Sequence, residues 1–204
     1  MNSRRVVRGS KKLSWLLRHG ANQEGLAMDA AGWASLGDVL ALTRLGLPEL
    51  ERILRENDKH RFQRDGERVR ASQGHSLAGT PVTLEALEAS WERLDLGERR
   101  VVHGTRADEA LLRAIGQTGL LPGARTHVHL AASAASHVGK RSNVGVLLEV
   151  SASAMARAGV GIFRSPNGVI LARRVPPDCL VGLQALTQRA KKDEARLREA
   201  LGLG

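Results

Sequence analysis

Three short stretches set cationic side chains against turns: Arg18-His19 in LRHG, Arg61 in DKHRF, and Arg125 in GART. A guanidinium offers paired N–H donors that grip a phosphate through two oxygens at once. An imidazole beside it can give or take a proton near neutral pH. Several such groups repel one another unless an anion of comparable charge lies between them. Each stretch also has an ordinary reading. Arg18 and His19 fall in the last turn of an expected helix over 10–20, where cations complement the macrodipole and Gly20 supplies a left-handed stop. Arg61 can be a surface cation opening a hairpin, and Arg125 a loop residue of a basic chain. A fourth stretch, HGT at 103–105, ends an expected strand in a turn.

Other signatures of chemistry are missing. The chain has no Walker loop and no strand-GxGxxG-helix unit, and no serine or cysteine sits on a nucleophile turn. HVHL puts His127 and His129 on one face of a strand, since side chains alternate with period two. No Asp, Glu or Cys lies nearby to complete a metal set, so no metal is expected and His127 is taken as structural. Cys179 is alone, which rules out a disulfide framework or a cysteine-based zinc site.

The elements that must hold these residues differ between the two parts of the chain. Before residue 95, Ser10 is the expected N-cap of the first helix. Ser35 is the expected N-cap of a second helix that turns Leu36, Val39 and Leu40 inward. GLPELERILREND forms a third, with Pro48 in its first turn and Leu50, Ile53 and Leu54 as the apolar stripe. RFQRDGERVRAS reads as a hairpin about Asp65-Gly66. Three helices and a hairpin suggest a winged-helix lobe over 1–94, joined to the rest through a segment with one short helix. Over 95–204, short strands (RRVVHGT, HVHLA, VGVLLEV, CLVGLQAL) alternate with small helices, among them AASAASHVG and SASAMARAG. A second hairpin turns about Pro166-Asn167-Gly168, and a charged helix ends the chain. The fold class is α+β, the second lobe being built on a compact mixed sheet.

Composition narrows the partner. Across 204 residues, 31 Lys and Arg against 21 Asp and Glu leave a net charge of +10, which favours a polyanion. With three Trp, two Phe and no Tyr, phosphate contacts rather than base stacking should carry nucleic-acid affinity. No apolar stretch reaches spanning length and no leader is visible, so a soluble, cytoplasmic protein without a membrane partner is expected.

Seven segments occur in order over nearly the whole chain: SKKLSWLLRHG, LAMDAAGWASLGDVL, ENDKHRFQRDGERVRASQGHS, VVHGT, GARTHVHLA, VGKRS and SPNGVILA. Together they resemble the RNA 2′-phosphotransferase family (Tpt1/KptA). The resemblance implies a winged-helix RNA-binding lobe followed by an ADP-ribosyltransferase-like lobe. It implies NAD-dependent removal of an internal 2′-phosphate from RNA, of the kind left at a tRNA splice junction. NAD⁺ is consumed through a 2′-phospho-ADP-ribosyl RNA, giving 2′-hydroxyl RNA, nicotinamide and ADP-ribose 1″,2″-cyclic phosphate. The family's catalytic set falls on Arg18, His19, Arg61 and Arg125. Its cofactor wall falls on His103, Gly104, Thr105, His129, Arg141, Asn167 and Gly168. A monomer with no obligate protein partner is implied. The chain departs from the family pattern at Ala131, usually Ser, at Ile170, usually Trp, and around Arg141, where VGKRSN replaces VGxRxG. An alternative keeps the second lobe but has it ADP-ribosylate a nucleic-acid terminal phosphate or another acceptor.

Overall fold

A computed structural model of the chain describes residues 3–56, 59–136 and 144–204. By contact density the chain divides into two compact units. The first comprises 1–92 with the short segments 124–126 and 165–167, and the second comprises the remainder. Arg141 lies outside the described residues, as does the end of the expected helix AASAASHVG; its described part, 131–136, is not helical but a bridge, bends and a turn.

In the first unit, helix α1 (Ser3–Trp15) runs into a π-helical turn (Leu16–Gly20) and then α2 (Ala21–Glu24). Strand β1 (Ala34–Ser35), α3 (Leu36–Thr43), α4 (Leu47–Glu56), β2 (Phe62–Asp65) and β3 (Arg68–Ala71) follow. The strands form an antiparallel sheet in the order β1-β3-β2. Ser35 caps α3 as the sequence suggests, its hydroxyl accepting from Asp38 N at 3.4 Å. The β2–β3 hairpin pairs Asp65 with Arg68 across Gly66, whose φ is +56°. Leu13, Leu16 and Leu17 pack with Leu36, Val39, Leu50, Ile53, Phe62 and Val69 into one core. The unit closes with the short α5 (Leu84–Ala89), capped by Thr83.

Two expectations about the first helix are corrected. The helix begins at Ser3, so Ser10 lies within it and caps nothing. Gly20 does not end it either: its φ of −111° is right-handed and the chain continues as α2. The left-handed stop is Gly25, with φ +67°. Gly20 is small for another reason, since a Cβ there would come within 2.6 Å of the Trp15 ring.

The second unit carries β4 (Glu92–Leu94, whose first residue belongs to the first unit), β5 (Arg100–Thr105), α6 (Glu109–Thr118), β6 (Val128–Leu130), β7 (Val146–Ser151), α7 (Ala152–Arg157), β8 (Ile162–Arg164) and β9 (Ile170–Ala172). After a 3₁₀ turn (Pro177–Cys179) come β10 (Leu180–Ala185), α8 (Gln188–Lys192) and α9 (Glu194–Leu201). The strand orders are β10-β7-β5 and β4-β8-β9-β6. The described pairings are antiparallel. Val102 and Ala131 exchange backbone hydrogen bonds at 2.9 and 2.8 Å and so join β5 to the end of β6. Helix α6, ended by Gly119, packs against α9 over a core of Leu112, Val146, Leu148, Val150, Met155 and Leu197. The architecture is therefore α+β with several small antiparallel sheets. No helix among the described residues is long and apolar enough to cross a membrane.

Candidate anion site and its relatives

The four residues expected to act together come from three places in the sequence and belong to the same unit, because 124–126 joins the first one. What unites them is the segment that leaves β3, SQGHSLAG at 72–79. Four polar residues there are buried, on either side of Gly74: Ser72 (1% exposed), Gln73 (7%), His75 (0%) and Ser76 (8%). Buried polar groups need partners, and those of Ser72 and Ser76 are the backbones that carry the site residues.

Ser72 N donates to the Arg61 carbonyl at 2.8 Å, and the Ser72 hydroxyl donates to the His60 carbonyl at 2.9 Å. These bonds fix the entry to β2, where His60 has a left-handed φ of +41°. Ser76 N donates to the Arg18 carbonyl at 2.9 Å, and its hydroxyl donates to the same oxygen at 3.3 Å. With its proton so directed, the Ser76 oxygen accepts from His19 Nδ1 at 3.2 Å. This assigns the Nδ1–H form to a neutral His19. Thr126 N donates to the His75 carbonyl at 2.9 Å and brings Arg125 to the same segment. Asn167 Nδ2 donates to the Lys59 carbonyl at 2.9 Å, while the Ser165 hydroxyl donates to Asn167 Oδ1 at 2.8 Å.

The attachment of Ser76 to Arg18 falls on the π-helical turn. Widening the turn alters the carbonyl ladder, and such turns recur at functional sites. Here the Arg18 carbonyl turns to Ser76. The His19 carbonyl lies so close to Gly79 that a Cβ there would sit 2.0 Å from it, so only glycine fits. Because the helix continues past Gly20, Arg18 and His19 are not at its C-terminus, and the macrodipole does not account for them.

Electrostatically the cluster is under tension. Arg18 Nε and Nη2 are shut off from solvent with no hydrogen-bond partner among the described residues. The Arg18 pKa is pushed down to about 10, by burial first and then by repulsion from Arg61 and Arg125. Arg18 is thus still a cation at neutral pH. The His19 pKa is lowered by burial, then by Arg18 and Arg125. A guanidinium with two enclosed, unpartnered nitrogens beside two other cations is costly in an isolated protein. Such an arrangement is what an anion with several oxygens would relieve.

In the second unit, His103 and Thr105 share a face of β5, and Gly104 faces the other way, where a Cβ would meet Val144 at 2.9 Å. His103 Nδ1 donates to the His129 carbonyl at 2.9 Å, across the seam between β5 and β6. His103 and His129 are half-buried there, whereas His127 is 1% exposed. Gly168 has φ +81° in the turn before β9. Ala131 (1% exposed) and Ile170 (4%) are both in the packed interior, so these departures from the family pattern act on packing.

The first unit therefore gathers Arg18, His19, Arg61 and Arg125 into one candidate anion site. The particular kind follows from comparison: residues 4–174 match the profile of the "RNA 2'-phosphotransferase, Tpt1 / KptA family", and the chain belongs to that family. It is 41% identical over 184 residues to a "Probable RNA 2'-phosphotransferase" of Burkholderia lata, covering 86% of this chain and 90% of that one. A protein of the same name from Streptomyces griseus is 39% identical over 198 residues, covering 89% and 98%. One from Pseudomonas aeruginosa is 38% identical over 176 residues, covering 82% and 91%.

The sequence singled out Arg18, His19, Arg61 and Arg125, and the first unit contains all four. It missed the roles of Ser72, His75, Ser76 and Gly79. Their signal was the polar run SQGHS directly after a strand, where solvent-facing loop residues would be the ordinary expectation.

Proposed function

We propose that the protein removes an internal 2′-phosphate from RNA, with NAD⁺ as the consumed co-substrate. The observation that carries this reading is Arg18, half-buried with Nε and Nη2 enclosed and unpartnered among the described residues, and repelled by Arg61 and Arg125. A phosphate dianion replaces that repulsion with charge-assisted hydrogen bonds. In this reading the first unit acts as a winged-helix RNA lobe and the second as an ADP-ribosyltransferase-like lobe. Family membership supports both assignments.

NAD⁺ supplies an electrophilic ribose carbon with a departing nicotinamide, and a neighbouring hydroxyl that carries the phosphate off as ADP-ribose 1″,2″-cyclic phosphate. The chain's own residues position and stabilise. Arg18, Arg61 and Arg125 hold the phosphate oxygens in a fixed array, which favours attack by lowering the entropy of approach. The same guanidinium groups stabilise the charge that develops when phosphorus is attacked in turn. His19, with Nδ1 bound to Ser76, presents Nε2 and in its protonated form gives a proton to the RNA 2′-oxygen as it leaves. In this reading the second unit holds the nicotinamide riboside, a role supported by the half-buried imidazole of His103, which is fixed on the His129 carbonyl beside Thr105. Gly104 keeps β5 packed, and His129 and Gly168 complete the proposed cofactor set from this unit. Asn167, in the first unit, holds the backbone before Arg61 in place.

The test is to mix the protein with NAD⁺ and an RNA bearing one internal 2′-phosphate. Nicotinamide, ADP-ribose 1″,2″-cyclic phosphate and 2′-hydroxyl RNA should appear in equal amounts. Absence of all three refutes the reading. A parallel arm with a 5′-phosphorylated RNA detects the alternative, in which ADP-ribose stays on the end phosphate.

A further inference from the structure

Beside the cluster lies a cavity of about 440 Å³ between α1 and α4, with Arg61 in its wall. Its floor is apolar, made by Val6, Val7 and Ile53. Ile53 is buried and Val7 is 55% exposed, so part of the apolar floor is open to solvent. Its polar wall is built from one face of α1, where Ser10 and Ser14 stand one turn apart with Lys11 between them.

Two neighbouring lysines divide the work of this helix. Lys12 turns away and donates to the carbonyls of Leu42 and Thr43, at 2.9 and 3.2 Å, at the end of α3. Lys11 faces the cavity. Among the described residues of the wall the acid is Glu56, which pairs with Arg52 at 2.7 Å, and the cations are Lys11 and Arg61. Arg61 belongs both to this wall and to the cluster around Arg18. An occupant of the cavity is therefore within one residue's span of a phosphate on the cluster.

We propose that this cavity is the subsite for the nucleotide adjoining the 2′-phosphorylated one in the RNA strand. Lys11 and Ser14 bind the intervening phosphodiester, and the neighbouring nucleoside lies on Val6, Val7 and Ile53. The volume lies in the range of small-molecule sites, and an aliphatic floor accepts any base by contact. The subsite thus reads strand continuity rather than sequence. It gives the protein a means to favour an internal 2′-phosphate over one on an isolated nucleotide. This proposal rests on the reading of the cluster as a 2′-phosphate site.

The experiment compares kcat/KM on three RNAs: 2′-phosphorylated with neighbours on both sides, without the 5′ neighbours, and without the 3′ neighbours. The variant is Lys11→Ala/Ser14→Ala, with Lys11→Gln as a milder second and thermal melting to show that both fold. Wild type should prefer the full RNA to one truncated RNA by about tenfold or more, the scale of a charge-assisted hydrogen bond. The double variant should lose that factor on the full RNA and match wild type on the same truncated RNA. An equal loss on all three substrates, or none on any, overturns the subsite and leaves the phosphate reading intact. Wild type inactive on all three overturns both.

Discussion

Arg18 stands where a charge is expensive, with two of its nitrogens enclosed and two other guanidinium groups close by. Replacing it by an apolar side chain of similar length should therefore help the fold while destroying the site. Arg18→Met is expected to raise stability by about 1 kcal/mol or more and to abolish 2′-phosphate removal. Melting with and without sulfate checks both halves, because sulfate should stabilise wild type and leave the variant unmoved. For His19, burial and then Arg18 and Arg125 disfavour the imidazolium. A titration by NMR should place its pKa below the ordinary 6.5 in the free protein, higher in Arg125→Ala, and higher again when phosphate binds. The linkage has a definite sign. The folded protein takes up this proton less readily than the unfolded chain, so the associated stability is complete above the ordinary value and is lost as pH falls below it. Ser76→Ala should free the His19 ring to exchange tautomers, visible in its ¹⁵N shifts. The phosphate-transfer rate should fall about tenfold, the scale of one lost orienting hydrogen bond.

At the level of elements, the π-helical turn and the 72–79 segment form one device. The turn frees the Arg18 carbonyl, the segment supplies the donors, and Gly79 permits the contact. Gly79→Ala would push a methyl group into the His19 carbonyl. It should destabilise by about 1–3 kcal/mol and lower activity further than that loss of stability explains, as parallel melting and rate measurements on refolded protein would show. Much of this arrangement was legible in the sequence. Apolar spacing located α3 and α4, Asp-Gly located the hairpin, and the family resemblance, not the turns alone, singled out Arg18, His19, Arg61 and Arg125. The start of α1 and the continuation past Gly20 were not legible. Glycine has the same letter whether it ends a helix in the left-handed region, as Gly25 does, or makes room for an indole, as Gly20 does. The buried run SQGHS was hidden for a related reason. Composition marks it as a solvated loop, and only the carbonyls of Arg18, His60 and Arg61, distant in sequence, explain why it is buried.

For the whole molecule, the net charge of +10 sets the background against which the site acts. General attraction to RNA should weaken steeply with salt, as counterion release requires. Recognition of the 2′-phosphate rests on an enclosed guanidinium and should weaken less, because buried pairs are screened less. The two contributions separate in a binding titration without NAD⁺, using matched RNAs that differ only in one internal 2′-phosphate. The account predicts tighter binding of the phosphorylated RNA, a preference that persists as salt is raised and disappears in Arg18→Ala. Equal affinity for the two RNAs, or a preference that survives in Arg18→Ala, would contradict it.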